Sequence, residues 1–302
     1  MYTLQLFPYF LRCLHHRRWL KPSDHNVMTK IYRAFLVLLS LPLLLAEYFS
    51  GGTGREYGVG FWRKLWIAMC MAVNRIRVPT ASNFIEHLVM ATEILKVPKS
   101  LAGVVVECGC YKGGSTANLS LVCAEVGRHL VVFDSFRGLP EPRPGDAQHT
   151  VLERHEIHSY SEGSWSGSLE EVRKNVARCG RLSVCEFRPG YFEQTLPGFT
   201  ERVVFVFADA DLRDSVKTCI QYLWPLLEGN CRIYTHEAQH QEVVQLFFDA
   251  AIWNGQKPPG LVGAGTGLGL IPSAGGFRSG IGYAVKDPRI ESFHTSVEDG
   301  LR

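Results

Sequence analysis

Four apolar runs in this chain end in residues that can do chemistry. Val104-Val105-Val106 leads into Glu107-Cys108-Gly109-Cys110-Tyr111-Lys112-Gly113-Gly114-Ser115. Glycines at 109, 113 and 114 would let the backbone approach a ligand, and a helix opening near Ser115 would offer it free N–H groups. The pattern is not the G-x-G-x-x-G of a dinucleotide site, because Tyr111 holds the place of the second glycine. A smaller ligand bearing a carboxylate and an amine is therefore favoured. Leu130–Phe133 ends in Asp134, 27 residues after Glu107, where an acid can accept hydrogen bonds from both ribose hydroxyls of an adenosine. Val203–Ala208 ends in Asp209, and Cys231–Tyr234 leads to Thr235-His236-Glu237, two of whose side chains can ligate a divalent metal.

These residues need a scaffold that brings strand ends together. Val104–Glu107, Leu130–Asp134, Leu182–Phe187, Val203–Asp209 and Cys231–Tyr234 read as buried strands, continuous and apolar rather than alternating, as a parallel sheet covered on both faces requires. Between them Ser115–Glu125, Ser168–Arg178, Asp214–Leu227 and Glu242–Trp253 read as helices, the second with Glu171 three residues after its Ser168 cap. The segments Leu268–Ile271 and Ile281–Val285 read as a closing pair of strands. The expected fold is α/β, a doubly wound, mostly parallel seven-stranded sheet whose ligand site lies outside the carboxyl ends of the strands. GAGTGLG at 263–269 reads as a turn, since it follows no strand, opens no helix and lacks the required glycine spacing.

Acid, glycine turn and acid together resemble the S-adenosylmethionine site of class I methyltransferases. Read as a set, ECGCYKGGST, FDSFRGLPEP, SLEEVRKNVARCG, FRPGYFEQTLP and FADADLRDS followed by LWPLLEGN resemble the macrocin O-methyltransferase family, which methylates sugar hydroxyls of macrolide antibiotics. The resemblance covers about Phe84 to Asp249. It implies that Glu107, Gly109, Tyr111, Gly113 and Ser115 surround the methionine end of S-adenosyl-L-methionine and that Asp134 and Ser135 hold its ribose. It further implies that Asp209 borders the cofactor and binds a divalent cation, Mg²⁺ or Mn²⁺, beside an acceptor hydroxyl. His158 of His158-Ser159-Tyr160 matches a family histidine and is the implied general base.

The chain departs from the family after the fifth strand, where Thr235-His236-Glu237 replaces Asp-Asp-Tyr. Either Asp209, His236 and Glu237 form a mixed metal set that tolerates Mn²⁺, Fe²⁺ or Zn²⁺ better than Mg²⁺, or the metal is lost and His236 serves as the base. Asp211-Leu212-Arg213 replaces D-L-Y, which would put a cation near the mouth of the site and make an anionic acceptor plausible.

Composition bounds the rest. The 302 residues are 46% hydrophobic and 20% charged, which excludes disorder and fibrous repeats. Nine cysteines with no C-x-x-C pair read as reduced, buried thiols of a cytoplasmic protein. Residues 1–80 carry 11 Lys/Arg against 3 Asp/Glu, and their longest apolar run, Ala34–Ala46, has 13 residues, short of the roughly 20 that span a bilayer. That run starts too late for a signal peptide. Residues 1–80 are therefore expected to be a helical extension to the methyltransferase domain at 81–302: a lid, a homo-oligomer surface, or an interfacial segment meeting a membrane surface peripherally. No nucleic acid is expected as partner. The function expected is O-methylation of a hydroxyl on a small molecule or glycosylated natural product. Two rivals stand beside it: a non-catalytic binding or assembly protein that has lost the family metal site, and an NAD(P)-dependent oxidoreductase, which ought to carry the full glycine fingerprint.

Overall fold

The computed structural model describes residues 42–146, 148–149, 151, 156–158, 160–253, 256–265, 267–268 and 280–288. Helical residues 42–49 are followed by α1 (Phe61–Arg77) and α2 (Phe84–Lys96). Then come β1 (Val104–Cys108), α3 (Gly114–Val126), β2 (Leu130–Asp134), β3 (Gln148–His149) and β4 (Glu156–His158). Next are α4 (Leu169–Cys179), β5 (Cys185–Pro189), α5 (Phe192–Thr195), β6 (Val203–Ala208) and α6 (Arg213–Leu223). The series ends in β7 (Leu227–Thr235), α7 (Gln241–Leu246) and β8 (Gly282–Val285).

The main sheet has six strands among the described residues, in the order β5-β2-β1-β6-β7-β8, parallel except for β8 against β7. Strand order reverses between β1 and β6, the place where a doubly wound sheet opens a crevice. The expected count of seven is corrected to six here. Leu268 lies in a turn and 269–271 fall outside the described residues, so the strand expected at Leu268–Ile271 is not among those seen. The turn expected within 263–269 is present at its described positions, with Gly263, Gly265 and Gly267 all at positive φ.

Other boundaries moved for local reasons. Residues 182–184 form a 3-10 turn, so β5 starts three residues later than the apolar pattern implied. Trp224 and Pro225 end α6 early, and β7 begins at Leu227, gaining its first pairing with Val203. The helix expected through Trp253 stops at Leu246 and resumes as a 3-10 turn at Ala250–Trp253.

One apolar core joins both sides of residue 80. Tyr48, Ile67, Met71 and Val78 are fully buried in the same cluster as Val105, Val132, Phe205 and Ile233. All eight described cysteines are free thiols, six of them buried. No described helix is long and apolar enough to cross a membrane.

A buried polar chain ties the helices together. Asn83 and Glu86 form a capping box that starts α2. His87, one residue on, faces Asn118 Nδ2 at 2.7 Å through Nδ1 and Ser82 Oγ at 2.7 Å through Nε2, while Asn74 donates to Asn118 Oδ1 and to the Cys179 carbonyl. Since the Asn118 amide donates to Nδ1, the network assigns the His87 proton to Nε2. Burial pushes His87 down to about 4, and the ring is neutral in the folded protein. An unfolded histidine titrates near 6.5, so the unfolded chain takes up this proton first as pH falls. The contribution of His87 is whole above pH 6.5 and is lost between 6.5 and about 4, amounting to roughly 3 kcal/mol. Urea unfolding of the native chain and His87→Gln at pH 7.5 and 4.5 checks this: the native chain is expected to lose more stability over the interval, and equal losses would remove the assignment.

Candidate functional site

Sheet register builds the site. Phe133, Cys108, Ala208 and Thr235 are cross-strand partners in one row at the carboxyl ends of β2, β1, β6 and β7. The next residue of each strand is therefore aligned too: Asp134, Gly109, Asp209 and His236. A cavity opens beside this row, lined by Gly109, Tyr111, Ser115, Asp134, Ser135, Asp209 and His236 among others, with Thr80 and Ala81 from the α1–α2 connection and Trp165 from the loop before α4.

The glycines do a different job from the one their spacing suggested. A Cβ on Gly109 would sit 1.9 Å from the Asp209 carbonyl oxygen, one on Gly113 would press on Val172 of α4, and one on Gly114 on Thr80. Their missing side chains make room for protein rather than for ligand. Gly109 still borders the cavity, whereas Gly113 caps α3 in a left-handed conformation and is not among the lining residues.

Asp134 is half-committed to the backbone. Its Oδ2 accepts from Cys110 N at 2.8 Å and its Oδ1 from Phe136 N at 2.6 Å; burial raises its pKa even against these bonds. One further lone pair per oxygen is left for a ligand. Ser135 closes the next turn, donating to the Gly138 carbonyl and accepting from Arg137 N. Tyr111 and Trp165, both at positive φ, meet edge to face at 5.4 Å between ring centroids. Glu107 does not line the cavity: it is fully buried beneath it, with neither carboxylate oxygen hydrogen-bonded, and burial pushes it up to about 8 although Ser115 and Thr116 oppose this.

Across the crevice lies an acid-rich cluster around one imidazole. His236 Nδ1 is 3.4 Å from Asp209 Oδ1 and its Nε2 is 3.5 Å from Glu86 Oε2 without a well-formed hydrogen bond. Burial disfavours its charge, but the Asp209 carboxylate and Glu86 outweigh burial and hold the imidazole well above the ordinary histidine range. Glu237 Oε1 accepts from Asp211 N at 3.2 Å and Oε2 from the Thr235 hydroxyl at 2.5 Å. Burial, then the Asp209 and Asp211 charges, lift Glu237 to about 8, and burial with Asp209 lifts Asp211 to about 7. Tyr160 donates to Asp211 Oδ1 at 3.0 Å.

Asp209, His236 and Glu237 can each turn one ligand atom to within 4.8 Å of the others. The structure thus brings together the three residues picked as a metal set. His158 pairs through its backbone with Gln148 in the small β3–β4 ribbon, and its side chain lies outside the described residues. The cation expected at the mouth is not there: Arg213 is absent from the lining residues and pairs with Asp214 at 3.1 Å. Glu86 was missed, since Asn83-x-x-Glu86 reads from sequence as a helix cap alone, and Glu86 Oε1 also takes the Gly280 amide, 194 residues away. Trp165 was missed as well; only its place in a Gly/Ser loop marked it.

A family model described as Macrocin-O-methyltransferase (TylF) matches residues 80–246. No curated protein matches the chain. Among solved structures it is similar to the O-methyltransferase NovP, at 18% identity and TM-score 0.46 over 86% of this chain and 99% of that one. It is also similar to the calicheamicin methyltransferase CalS11, at 13% identity and TM-score 0.47 over 74% and 92%. A third is the O-methyltransferase TomG from Streptomyces achromogenes, involved in tomaymycin synthesis and solved with SAM, at 13% identity and TM-score 0.41 over 73% and 89%.

The Gly109 geometry is directly testable. Gly109→Ala is expected to cost roughly 3 kcal/mol, because it combines a clash with the Asp209 carbonyl and a left-handed backbone that disfavours a side chain. Denaturant unfolding measures this; a loss under about 1 kcal/mol would mean the two strand ends part easily.

Proposed function

The chain belongs to the macrocin O-methyltransferase family, and from that footing we propose that it moves a methyl group from S-adenosylmethionine to a hydroxyl of a small molecule or glycosylated natural product, with a divalent cation assisting. The observation that carries this reading is the convergence of Asp134, Asp209 and His236 on one cavity at the reversal of strand order. A hydroxyl-bearing, cationic cofactor fits such a lining: Asp134 keeps acceptor capacity for a ribose, Tyr111 and Trp165 offer aromatic faces, and Ser115 stands at the opening of α3.

A divalent ion suits the other side. Asp209, Asp211, Glu237 and Glu86 crowd one imidazole, and Glu237 and Asp211, lifted toward neutral pH by burial and then by neighbouring acids, are groups that a cation would return to their charged form. One nitrogen with two carboxylates favours Mn²⁺, Fe²⁺ or Zn²⁺ over Mg²⁺. When bound, S-adenosylmethionine supplies an electrophilic methyl group and the metal supplies Lewis acidity toward the acceptor oxygen.

The chain's own residues then have three tasks. Asp134 and Ser135 anchor and orient the cofactor, with Glu107 supporting α3 from beneath. Tyr111 and Trp165 keep water from the transfer path, which needs an in-line approach of oxygen to the methyl group. A base must take the acceptor proton. As a metal ligand His236 would give its lone pair to the ion and could not also take a proton, so His158 is the proposed base.

A second reading has one observation behind it. Each oxygen of Glu237 already accepts one bond within the protein, from the Thr235 hydroxyl and the Asp211 amide, which leaves a single lone pair per oxygen and restricts how the carboxylate can turn toward a metal. That favours a non-catalytic binding protein that keeps the cofactor site.

Calorimetric titration with S-adenosylhomocysteine, with and without Mn²⁺ or Mg²⁺, separates the two. Binding that tightens with metal is the expected result. Binding indifferent to metal would favour the non-catalytic reading, and no binding would overturn the cofactor assignment. Asp134→Ala, checked for folding by circular dichroism, is expected to weaken that binding about 100-fold through loss of two charge-assisted hydrogen bonds; unchanged affinity would remove the ribose assignment.

A further inference from the structure

Helix α1 is apolar on two opposite faces. Ile67 and Met71, with Lys64 and Asn74, turn into the core. Successive helical residues step by about 100°, which places Trp62, Met69, Val73 and Ile76 within about 60° of one another on the side opposite that core face. All four are exposed, Trp62 at 78% and Ile76 at 88%. Phe61, also exposed, extends the stripe at its start, where it packs on Trp62 and on Phe49 of the preceding helical segment. A surface helix with one core to serve needs only one apolar face.

The charges around the second face have one sign. The sequence Phe61–Arg77 contains no Asp or Glu. Exposed Arg75 and Arg77 flank the stripe near its end, Arg178 donates to the Arg77 carbonyl, and the guanidinium groups of Arg63 and Arg181 lie over Trp66. Arg63 is also paired with Glu125.

That collar decides among occupants. A second copy docking through the same patch would set arginine against arginine, since a two-fold interface presents the same surface from both sides. By sequence, residues 1–41 hold six Lys/Arg and one Asp, the same sign as the collar. Of the five arginines that edge the stripe, only Arg63 is paired with an acid among the described residues, which leaves Arg75 and Arg77 as unneutralised exposed cations on its own helix. An apolar stripe carrying Trp and Phe with such an edge matches the boundary between headgroups and acyl chains of an anionic bilayer.

We propose that the outward face of α1 is a docking surface for an anionic phospholipid membrane, with the helix lying in the plane of the headgroups. Attachment through this face, by a helix lying in the headgroup plane, is peripheral in character. It has a consequence for the site: Thr80, a wall of the cavity, is three residues beyond Arg77, within about 10 Å of the helix end. A membrane-docked protein would hold that wall close to the interface, where an acceptor with an apolar tail resides.

The test uses the full chain with vesicles of phosphatidylcholine alone and with phosphatidylglycerol added. Co-sedimentation with the anionic vesicles, weakened by salt, is expected. Trp62→Ser/Met69→Ser/Ile76→Ser is expected to reduce the bound fraction at least tenfold with an unchanged melting temperature. Arg75→Gln/Arg77→Gln, which touches no apolar contact, is expected to weaken binding to anionic vesicles and to flatten its salt dependence, and it decides the matter should the triple variant fold poorly. No vesicle binding by the intact chain, or binding indifferent to both sets of substitutions, overturns the proposal; so does a dimer in solution that Trp62→Ser dissociates while vesicles go unbound. None of these readouts involves methyl transfer, so the proposal stands or falls apart from the enzymatic reading.

Discussion

The ends of β1 and β6 can lie side by side because residue 109 has no side chain. Asp209 N donates to the Cys108 carbonyl at 2.8 Å, and the Asp209 carbonyl occupies the space that any Cβ at 109 would fill. From that contact the site follows geometrically. Gly109 N reaches back to the Phe133 carbonyl, Cys110 N becomes available to Asp134, and Asp209 follows β6 as His236 follows β7, with His236 N donating to the Ala208 carbonyl. Loosening one strand end would move the residues on both sides of the crevice together.

Electrostatically the two sides differ. On the β2 side, Asp134 is held by the backbone amides of Cys110 and Phe136. On the β7 side, Asp209, Asp211, Glu237 and Glu86 share one imidazole, and the low-dielectric surroundings make their mutual repulsion costly. Burial and then this repulsion push Glu237 and Asp211 upward. Folding alone gains little from such a cluster, because buried ion groups of this kind rarely repay their desolvation.

The inner parallel strands β1, β2 and β6 were legible because strands covered on both faces are apolar along their length, whereas β5, expected to be buried, is the sheet edge and exposes Glu186 and Arg188. Their terminal acids were legible for the same reason, as the first polar residue after each run. What depended on distant partners was not. Glu86 satisfies a local capping pattern and gives no local sign that His236 or Gly280 will meet it. The three glycines were correctly singled out but for the wrong neighbour, since spacing alone does not tell whether ligand or protein will fill the vacated space. The helix limit near Trp224 shifted because the helix stops ahead of Pro225, and the one near Leu246 because the chain breaks before its 3-10 turn at Ala250–Trp253. The outward face of α1 was legible only as a basic, apolar segment, and burial was needed to separate its core side from its free side.

The hydrogen bond from Gly280 to Glu86 bears on the order in which the protein can be made. Glu86 belongs to the second full helix, yet its position is completed by a residue 194 positions later, next to the strand that closes the sheet edge beyond β7. A chain growing from a ribosome would expose β1 and β2 with all their cofactor motifs long before β8 exists to pair with Arg232, Ile233 and Tyr234. Until then β7 is an open, apolar edge and the imidazole lacks its full setting. Gly280 and β8 therefore complete the site late, and a product that stops short of residue 280 would carry a recognisable methyltransferase sequence without the Glu86 contact or the strand that covers β7.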